Sequence, residues 1–287
     1  MTQRSIVVLG LPGSGKTTFL AALWHLVFSR ETETKLRFDS LKSGNRKHLN
    51  AIAARWRKAQ MQERTLLAGN QFVSINLVTD DSQAVTITFP DIAGESYRQM
   101  WEERECEKVV AETLTQGSVL LFVHADDIKR PLWIMDVAAM ALALDLPPDE
   151  VAQPVPWQPR LAPTQVQLVG LLSLLGAAPL DIGPRRLVVM LSAWDKAKGE
   201  RLAPREFLRA KLPLLSQYLD TNPKLWQWTV YGVSAQGGEY DDTQPGAQAK
   251  QEAQDLRAAD EPSRRIQLTD GVSTSHDLTV PLEWLMQ

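Results

Sequence analysis

The sequence has one cysteine, Cys106, among 287 residues. One thiol makes no intrachain disulfide and no cysteine-rich zinc site, so the expected setting is the reducing cytoplasm. The four histidines, His25, His48, His124 and His276, offer no pair at metal-ligand spacing on one helix. Long apolar runs are missing as well. The longest apolar helical candidate, 133–146, is interrupted by Asp136 and Asp145, whereas a membrane span needs roughly 20 apolar residues. The run Ile6-Val7-Val8-Leu9 is too short for a secretory signal and reads as a buried strand. Neither sign of charge dominates: 31 Lys and Arg against 34 Asp and Glu leave a net of −3. No global basic field and no basic array interleaved with aromatics points to nucleic acid. Neither a membrane nor nucleic acid is therefore expected as a partner. With 44% hydrophobic residues the chain can bury a full core, and its length alone suggests about two domains.

What is present is a phosphate loop. Residues 10–17 read Gly10-Leu11-Pro12-Gly13-Ser14-Gly15-Lys16-Thr17, the pattern G-x-x-x-x-G-K-[ST]. It follows the strand candidate 4–9 and opens the helix candidate 16–29, the context such a loop requires. The glycines let the backbone curl so that successive N–H groups, those of Pro12's neighbours and Ser14 among them, converge on phosphate oxygens. The helix start at Lys16, Thr17 and Thr18 adds the positive end of a dipole. Lys16 is expected to bridge the β- and γ-phosphates, and the Thr17 hydroxyl to ligate Mg²⁺. These residue types specify a nucleoside triphosphate and leave ATP and GTP both open.

A second acid closes the strand candidate 84–90: Asp91-Ile92-Ala93-Gly94-Glu95. An acid at a strand's C-terminal end holds Mg²⁺ through water. Gly94, three residues on, offers its N–H to a γ-phosphate. Together they make a sensor of the terminal phosphate.

This pentapeptide resembles the D-x-A-G-[QE] element of Ras-like GTPases of the translation-factor-related (TRAFAC) class. Their chain order is P-loop, switch threonine, DxxG, [NT]-K-x-D, then a Ser-Ala loop. The resemblance assigns roles to later residues. Ser192-Ala193-Trp194-Asp195-Lys196 follows the strand candidate 186–191 and resembles N-K-x-D. Asp195 then accepts the N1–H and N2–H of guanine, a pair that adenine lacks; the competing role is a surface helix cap. Ser192 stands where Asn or Thr is usual. Ala193 replaces the lysine whose stem covers the base, leaving Lys196 or Trp194 to stack there. Ser234-Ala235, after the strand candidate 226–233, resembles the loop whose backbone contacts guanine O6. A Mg²⁺-ligating threonine belongs just before the second strand. Thr65 fits, with Thr32 and Thr34 as rivals, and Arg64 beside it could act in cis on developing γ-phosphate charge. Glu95 takes the place of a water-orienting glutamine. Its carboxylate accepts a hydrogen bond from water but brings negative charge, so hydrolysis is expected to be slow without a partner. The implied cofactors are GTP and Mg²⁺.

The alternation of strands and helices predicts a doubly wound α/β sheet, mostly parallel. Strands 71–79 and 84–90, joined by the hairpin residues Asp80 to Gln83, make one strand antiparallel, as in a Ras-like P-loop G domain. All the motifs fall at strand C-termini, where open α/β sheets bind ligands. The first strand and the last base loop then belong to one sheet, and the surplus length is insertion rather than a second fold. The G domain is expected over 1–236, with helical insertions at about 30–64 and 127–185. Within 38–63 a solvated helix is expected, packed by Leu41, Leu49, Ile52 and Trp56. The first insertion carries ten Lys and Arg against four Asp and Glu. The helix candidates 96–115 and 203–219 are each read as continuous. Segment 237–263 is polar and acidic and is expected to be flexible. A C-terminal extension, 264–287, is expected to pack on the G domain through a short hairpin and a helix opening at Pro281.

Trp56, Arg64-Thr65, Asp91 to Glu95, and Pro281-Leu282-Glu283-Trp284-Leu285 together resemble the bacterial double-GTPase families of conflict, or antiphage, gene clusters. This resemblance spans most of the chain. It implies a GTP-hydrolysing molecular switch that signals to protein partners, a companion GTPase or effector encoded nearby, in a defence system. A slow or non-hydrolysing assembly module and a P-loop ATPase are the other readings.

Overall fold

The computed structural model describes residues 4–41, 45–62, 71–91, 100–115, 117–131, 135, 139, 142–144, 156–241 and 250–287. The strands are β1 (Arg4–Gly10), β2 (Arg37–Leu41), β3 (Gln71–Val78), β4 (Ala84–Asp91), β5 (Ser118–His124), β6 (Arg185–Ser192), β7 (Trp226–Ser234), β8 (Gln267–Thr269) and β9 (Thr274–Ser275). The helices are α1 (Lys16–Ser29), α2 (Asn45–Arg57), α3 (Lys108–Leu114), α4 (Thr164–Leu175), α5 (Trp194–Ala197), α6 (Pro204–Lys211), α7 (Pro213–Thr221), α8 (Gln251–Ala258) and α9 (Val280–Met286).

One sheet runs through the molecule in the order β2-β3-β4-β1-β5-β6-β7-β8-β9. Its centre, β4-β1-β5-β6-β7, is parallel. This is the doubly wound arrangement expected from the sequence. The central strands are apolar on both faces because helices cover both. Ile6 and Val8 join one core with Phe19, Leu23 and Trp24 of α1 and Leu282 of α9. Val7 and Leu9 join the other with Leu168 of α4, Phe207 of α6 and Leu215 of α7. Burying one such aliphatic or aromatic side chain contributes about 1.5–3 kcal/mol, so the two cores together hold the sheet in place.

Antiparallel pairing is more extensive than the single strand expected. β3 runs antiparallel to β4, and β2 adds a further strand at that edge. β8 and β9 extend the other edge beyond β7. The first insertion therefore opens with a strand, not a helix. Phe38 of β2 packs edge-on against Trp24, ring centroids 5.3 Å apart, and this tertiary contact overrides the charged local sequence. The helix that follows, α2, buries Leu49, Ile52, Ala53 and Trp56.

Three other elements differ from expectation. Helix 203–219 is split at Leu212, whose φ of −133° and ψ of 55° precede Pro213. Proline lacks an N–H and excludes the helical conformation from the residue before it. Within 96–115 the described part breaks at Arg104, which takes a left-handed φ of 61°, before α3 begins. Segment 237–263, expected to be flexible, carries α8 with Ala253 buried. Arg257 of α8 pairs with Asp241 at 2.5 Å, and the Lys250 N–H donates to the same carboxylate at 2.7 Å.

Candidate nucleotide site

The phosphate loop joins β1 to α1. Gly15 caps α1 in a left-handed conformation, φ 86° and ψ 6°. A side chain there is excluded twice, by the positive φ and by Ser192, whose Oγ lies 2.9 Å from an added Cβ. No side chain caps α1 and no acid lies in its first turn. Its leading N–H groups therefore point toward the loop without an intrahelical acceptor. The Lys16 ammonium folds over the loop, donating to the Gly10 carbonyl at 2.7 Å, the Leu11 carbonyl at 3.0 Å and Ser14 Oγ at 3.3 Å. Thr17 and Thr18, half-buried, occupy the first turn of α1. Asp91 ends β4. The β1–β4 register pairs Val7 with Thr88, so three residues further on each parallel strand stand Gly10 and Asp91.

The second half of the site comes from the ends of β6 and β7. Ser192, the last residue of β6, is buried, and its Oγ donates to the Ser14 carbonyl at 2.9 Å. It thus ties β6 to the phosphate loop. Ala193 turns the chain with a φ of 52°. Trp194 does not stack over the site. Its ring is buried against Phe207, centroids 5.2 Å apart, and covers Gly232, where a Cβ would lie 2.4 Å from the indole. Lys196 lies at the rim, 3.6 Å from Asp126 and 3.9 Å from Glu239. At the end of β7 the Gly237 N–H donates to Ser234 Oγ at 3.2 Å, which tightens the Ser-Ala loop.

These two halves face one cavity of about 330 Å³. Gly13, Gly15 and Thr18 line it from the phosphate loop. Ser192, Asp195 and Lys196 line it from β6, and Ala235 and Gln236 from the end of β7. Met61, Glu239, Tyr240 and Lys250 close the outer side, and His124 stands between the halves. Burial lowers the His124 pKa, against the nearby Asp127 and Asp126 carboxylates that raise it. Burial pushes the Tyr240 phenol well up, so it is neutral at physiological pH. The Glu239 carboxyl is held low by its hydrogen bond from Lys250. Among the described residues no three His, Cys, Asp or Glu side chains converge to cage a metal.

A model of the Double-GTPase 1 family matches residues 7–285. The chain belongs to the Double-GTPase 1 family. No curated protein matches it in sequence. Among solved structures, the chain is similar to the GTP-bound Ski7 GTPase-like domain of S. cerevisiae. The two are 15% identical over 82% of this chain and 43% of that one, with a TM-score of 0.39. It therefore spans less than half of the Ski7 chain. It is also similar to the signal recognition particle receptor SRb in its GTP complex with SRX from Chaetomium thermophilum. There the identity is 11% over 82% of this chain and 92% of that one, with a TM-score of 0.39.

In this double-GTPase chain the structure brings Gly13, Gly15, Thr18, Asp195, Lys196 and Ala235 to one cavity. Gly10, Ser14, Lys16 and Ser234 support it from just beneath, through the bonds given above. Pro12 faces a neighbouring cavity of about 270 Å³, bounded by Trp101, Lys129 and Arg160. Arg64, Thr65, Gly94 and Glu95 lie outside the described residues. Of the rival threonines, Thr34 donates to the Leu36 carbonyl at 2.9 Å, a local turn bond. His124, Ser192, Tyr240 and Trp56 were not singled out as site residues from the sequence. For Ser192 the signal was there, because it stands at the Asn position of the N-K-x-D pattern that 192–195 resembles. For the others only the folded arrangement reveals proximity. Among the described residues no helix is long and apolar enough to cross a membrane.

Proposed function

We propose that the chain binds GTP with Mg²⁺ and hydrolyses it slowly, as a switch read by protein partners. The observation that carries this reading is the single cavity lined by the phosphate loop and by Asp195 and Ala235. A triphosphate seated on Gly13, Gly15 and the α1 N-terminus directs its base toward Asp195. That carboxylate accepts two guanine N–H groups, and adenine offers no matching pair. Lys16 supplies the positive charge that meets the β- and γ-phosphates.

The residues present suit a nucleotide-held Mg²⁺. Thr17 stands in the first turn of α1 and Asp91 is the last residue of β4, the strand paired with β1, and these two residues would hold the ion. When bound it neutralises charge on the β- and γ-oxygens. Thr65 as switch ligand, Gly94 as γ-phosphate sensor, Glu95 as water acceptor and Arg64 as a cis cation complete the reading from the sequence.

Competition with a fluorescent guanine nucleotide tests the base assignment. GTP and GDP are expected to displace it and ATP is not; equal displacement by ATP removes the guanine reading in favour of an ATPase. Lys16→Ala is expected to abolish binding. Asp195→Asn inverts one donor–acceptor pair and is expected to shift preference to xanthine nucleotide; an unchanged preference removes Asp195 from the site.

A non-hydrolysing assembly module is the second reading, favoured by Glu95 and by Ala193 in place of lysine. Single-turnover hydrolysis with and without partner separates the two. A cytoplasmic, defence-related setting with a companion GTPase completes the proposal.

A further inference from the structure

The inserted helix α2 reaches across the molecule to the base-side loop. Trp56, on its last turn, is fully buried, and its indole Nε1–H donates to the Ala235 carbonyl at 2.8 Å. The two residues are 179 apart in sequence. The Ala235 carbonyl shares a planar peptide with the Gln236 N–H, and in a trans peptide the two point in opposite directions. Fixing the carbonyl on Trp56 therefore fixes the plane and direction of the peptide that lines the base cavity.

The donor is itself held. The Arg265 guanidinium lies over the Trp56 ring at 3.8 Å, and its Nη2 donates to the Trp56 carbonyl. The His25 ring lies 5.0 Å from the indole. Just past α2, Ala59 accepts the Asp241 N–H at 3.1 Å and Met61 reaches the cavity rim. One end of the insertion is thereby tied to the outer wall of the same cavity. A buried indole needs a partner for its N–H, but not this one. The chosen acceptor belongs to the loop that the guanine reading places against O6.

We infer that Trp56 is a positioning residue for guanine recognition, holding the Ala235–Gln236 peptide so that the loop reads the 6-keto oxygen. This rests on the guanine reading given above. Trp56→Phe keeps an aromatic ring under Arg265 and removes the N–H donor together with part of the ring volume. Three triphosphates separate the base contacts. 6-Thio-GTP alters the 6-position alone, and ITP lacks only the 2-amino group that Asp195 contacts.

Losing one net hydrogen bond at the loop corresponds to about a two- to tenfold change in an equilibrium constant. The preference of Trp56→Phe for GTP over 6-thio-GTP is expected to shrink by that factor. Its preference for GTP over ITP is expected to stay at the wild-type value. A merely structural role would weaken all three ligands together and leave both ratios alone, which overturns the proposal. A wild-type chain that binds GTP, 6-thio-GTP and ATP alike overturns the guanine reading itself and the proposal with it. If the phenylalanine variant does not fold, 3-benzothienylalanine at position 56 supplies the test. It has the size of tryptophan without the N–H, and the same narrowing of the first ratio alone is expected.

Discussion

Ser192→Ala removes one oxygen and isolates one bond. Ser192 is 6% exposed and Ser14, whose carbonyl accepts from it at 2.9 Å, is 3% exposed. The alternative acceptor, the Val123 carbonyl, lies at 3.4 Å and cannot share the single hydroxyl proton. The substitution therefore leaves the Ser14 carbonyl buried without this donor, a loss of about 1–3 kcal/mol. It also frees the phosphate loop from β6. If the free loop relaxes to recover that energy, nucleotide binding must restore the bound geometry against it. Dissociation constants then rise by about 5- to 150-fold for GTP and GDP alike, at 1.4 kcal/mol per tenfold. The assay is displacement of a fluorescent guanine nucleotide, beside a urea denaturation curve. Equal weakening of GTP and GDP is expected, because the contact lies under the loop and not at the γ-phosphate. A variant that binds both within twofold of wild type, with an unchanged denaturation midpoint, refutes the argument that Ser192 anchors the loop.

Gly15→Ala places a Cβ 2.9 Å from Ser192 Oγ at a φ of 86°, and left-handed strain alone costs about 1–2 kcal/mol; thermal stabilisation by GTP is expected to vanish, and a retained shift contradicts it. Trp194→Ala opens a cavity beside Phe207 and should cost about 3–5 kcal/mol of stability in urea, whereas Trp194→Phe should keep the GTP-over-ATP preference because the ring packs away from the base cavity. Stability should also depend on pH. Burial lowers the pKa of both His25 and His124 below 6.5, so below that value the unfolded chain binds more protons and stability rises with pH. The urea midpoint should be level above pH 6.5 and fall as pH drops toward 5, with a shallower fall in a His25→Gln, His124→Gln double variant; a level wild-type profile contradicts the burial argument.

The phosphate loop was legible because its chemistry demands particular residues at fixed spacing, and Lys16-Thr17 at that place has no packing rationale. The parallel centre was legible from strands apolar on both faces. β2 was not, because a short edge strand is specified by its tertiary partners: Phe38 packs on Trp24 of α1, a contact that local sequence does not show. The break at Leu212 was signalled by Pro213, and apolar periodicity across 203–219 concealed it. Trp194 beside Asp195 invited a stacking role over the base. The Phe207 ring, brought up by α6, offers the indole a buried face instead.

The insertion at 30–64 shows how little charge alone says about what a segment does. Read alone, the ten basic residues of 30–64 suggest a solvated face. Folded, the helix spends its one buried tryptophan on the base-side loop and its C-terminal end on Asp241. The C-terminal segment contributes Arg265 to the same ring and β8 to the sheet edge beside Ser234. Two stretches outside the minimal motif order thus converge behind one loop. Met61 lines the cavity rim, and Arg64 and Thr65 come three and four positions after it in sequence. A helix whose C-terminal turn is bonded to the Ser-Ala loop, a few residues before the proposed switch pair in sequence, gives the insertion a mechanical role that its charge does not suggest. Nucleotide-dependent change in the segment after Met61 should then be felt at Trp56. The Trp56 indole N–H should exchange with solvent more slowly in the GTP-bound protein than in the GDP-bound protein, as followed by its ¹⁵N-resolved proton signal. Equal exchange in the two states would separate base reading from the switch and confine α2 to a scaffold.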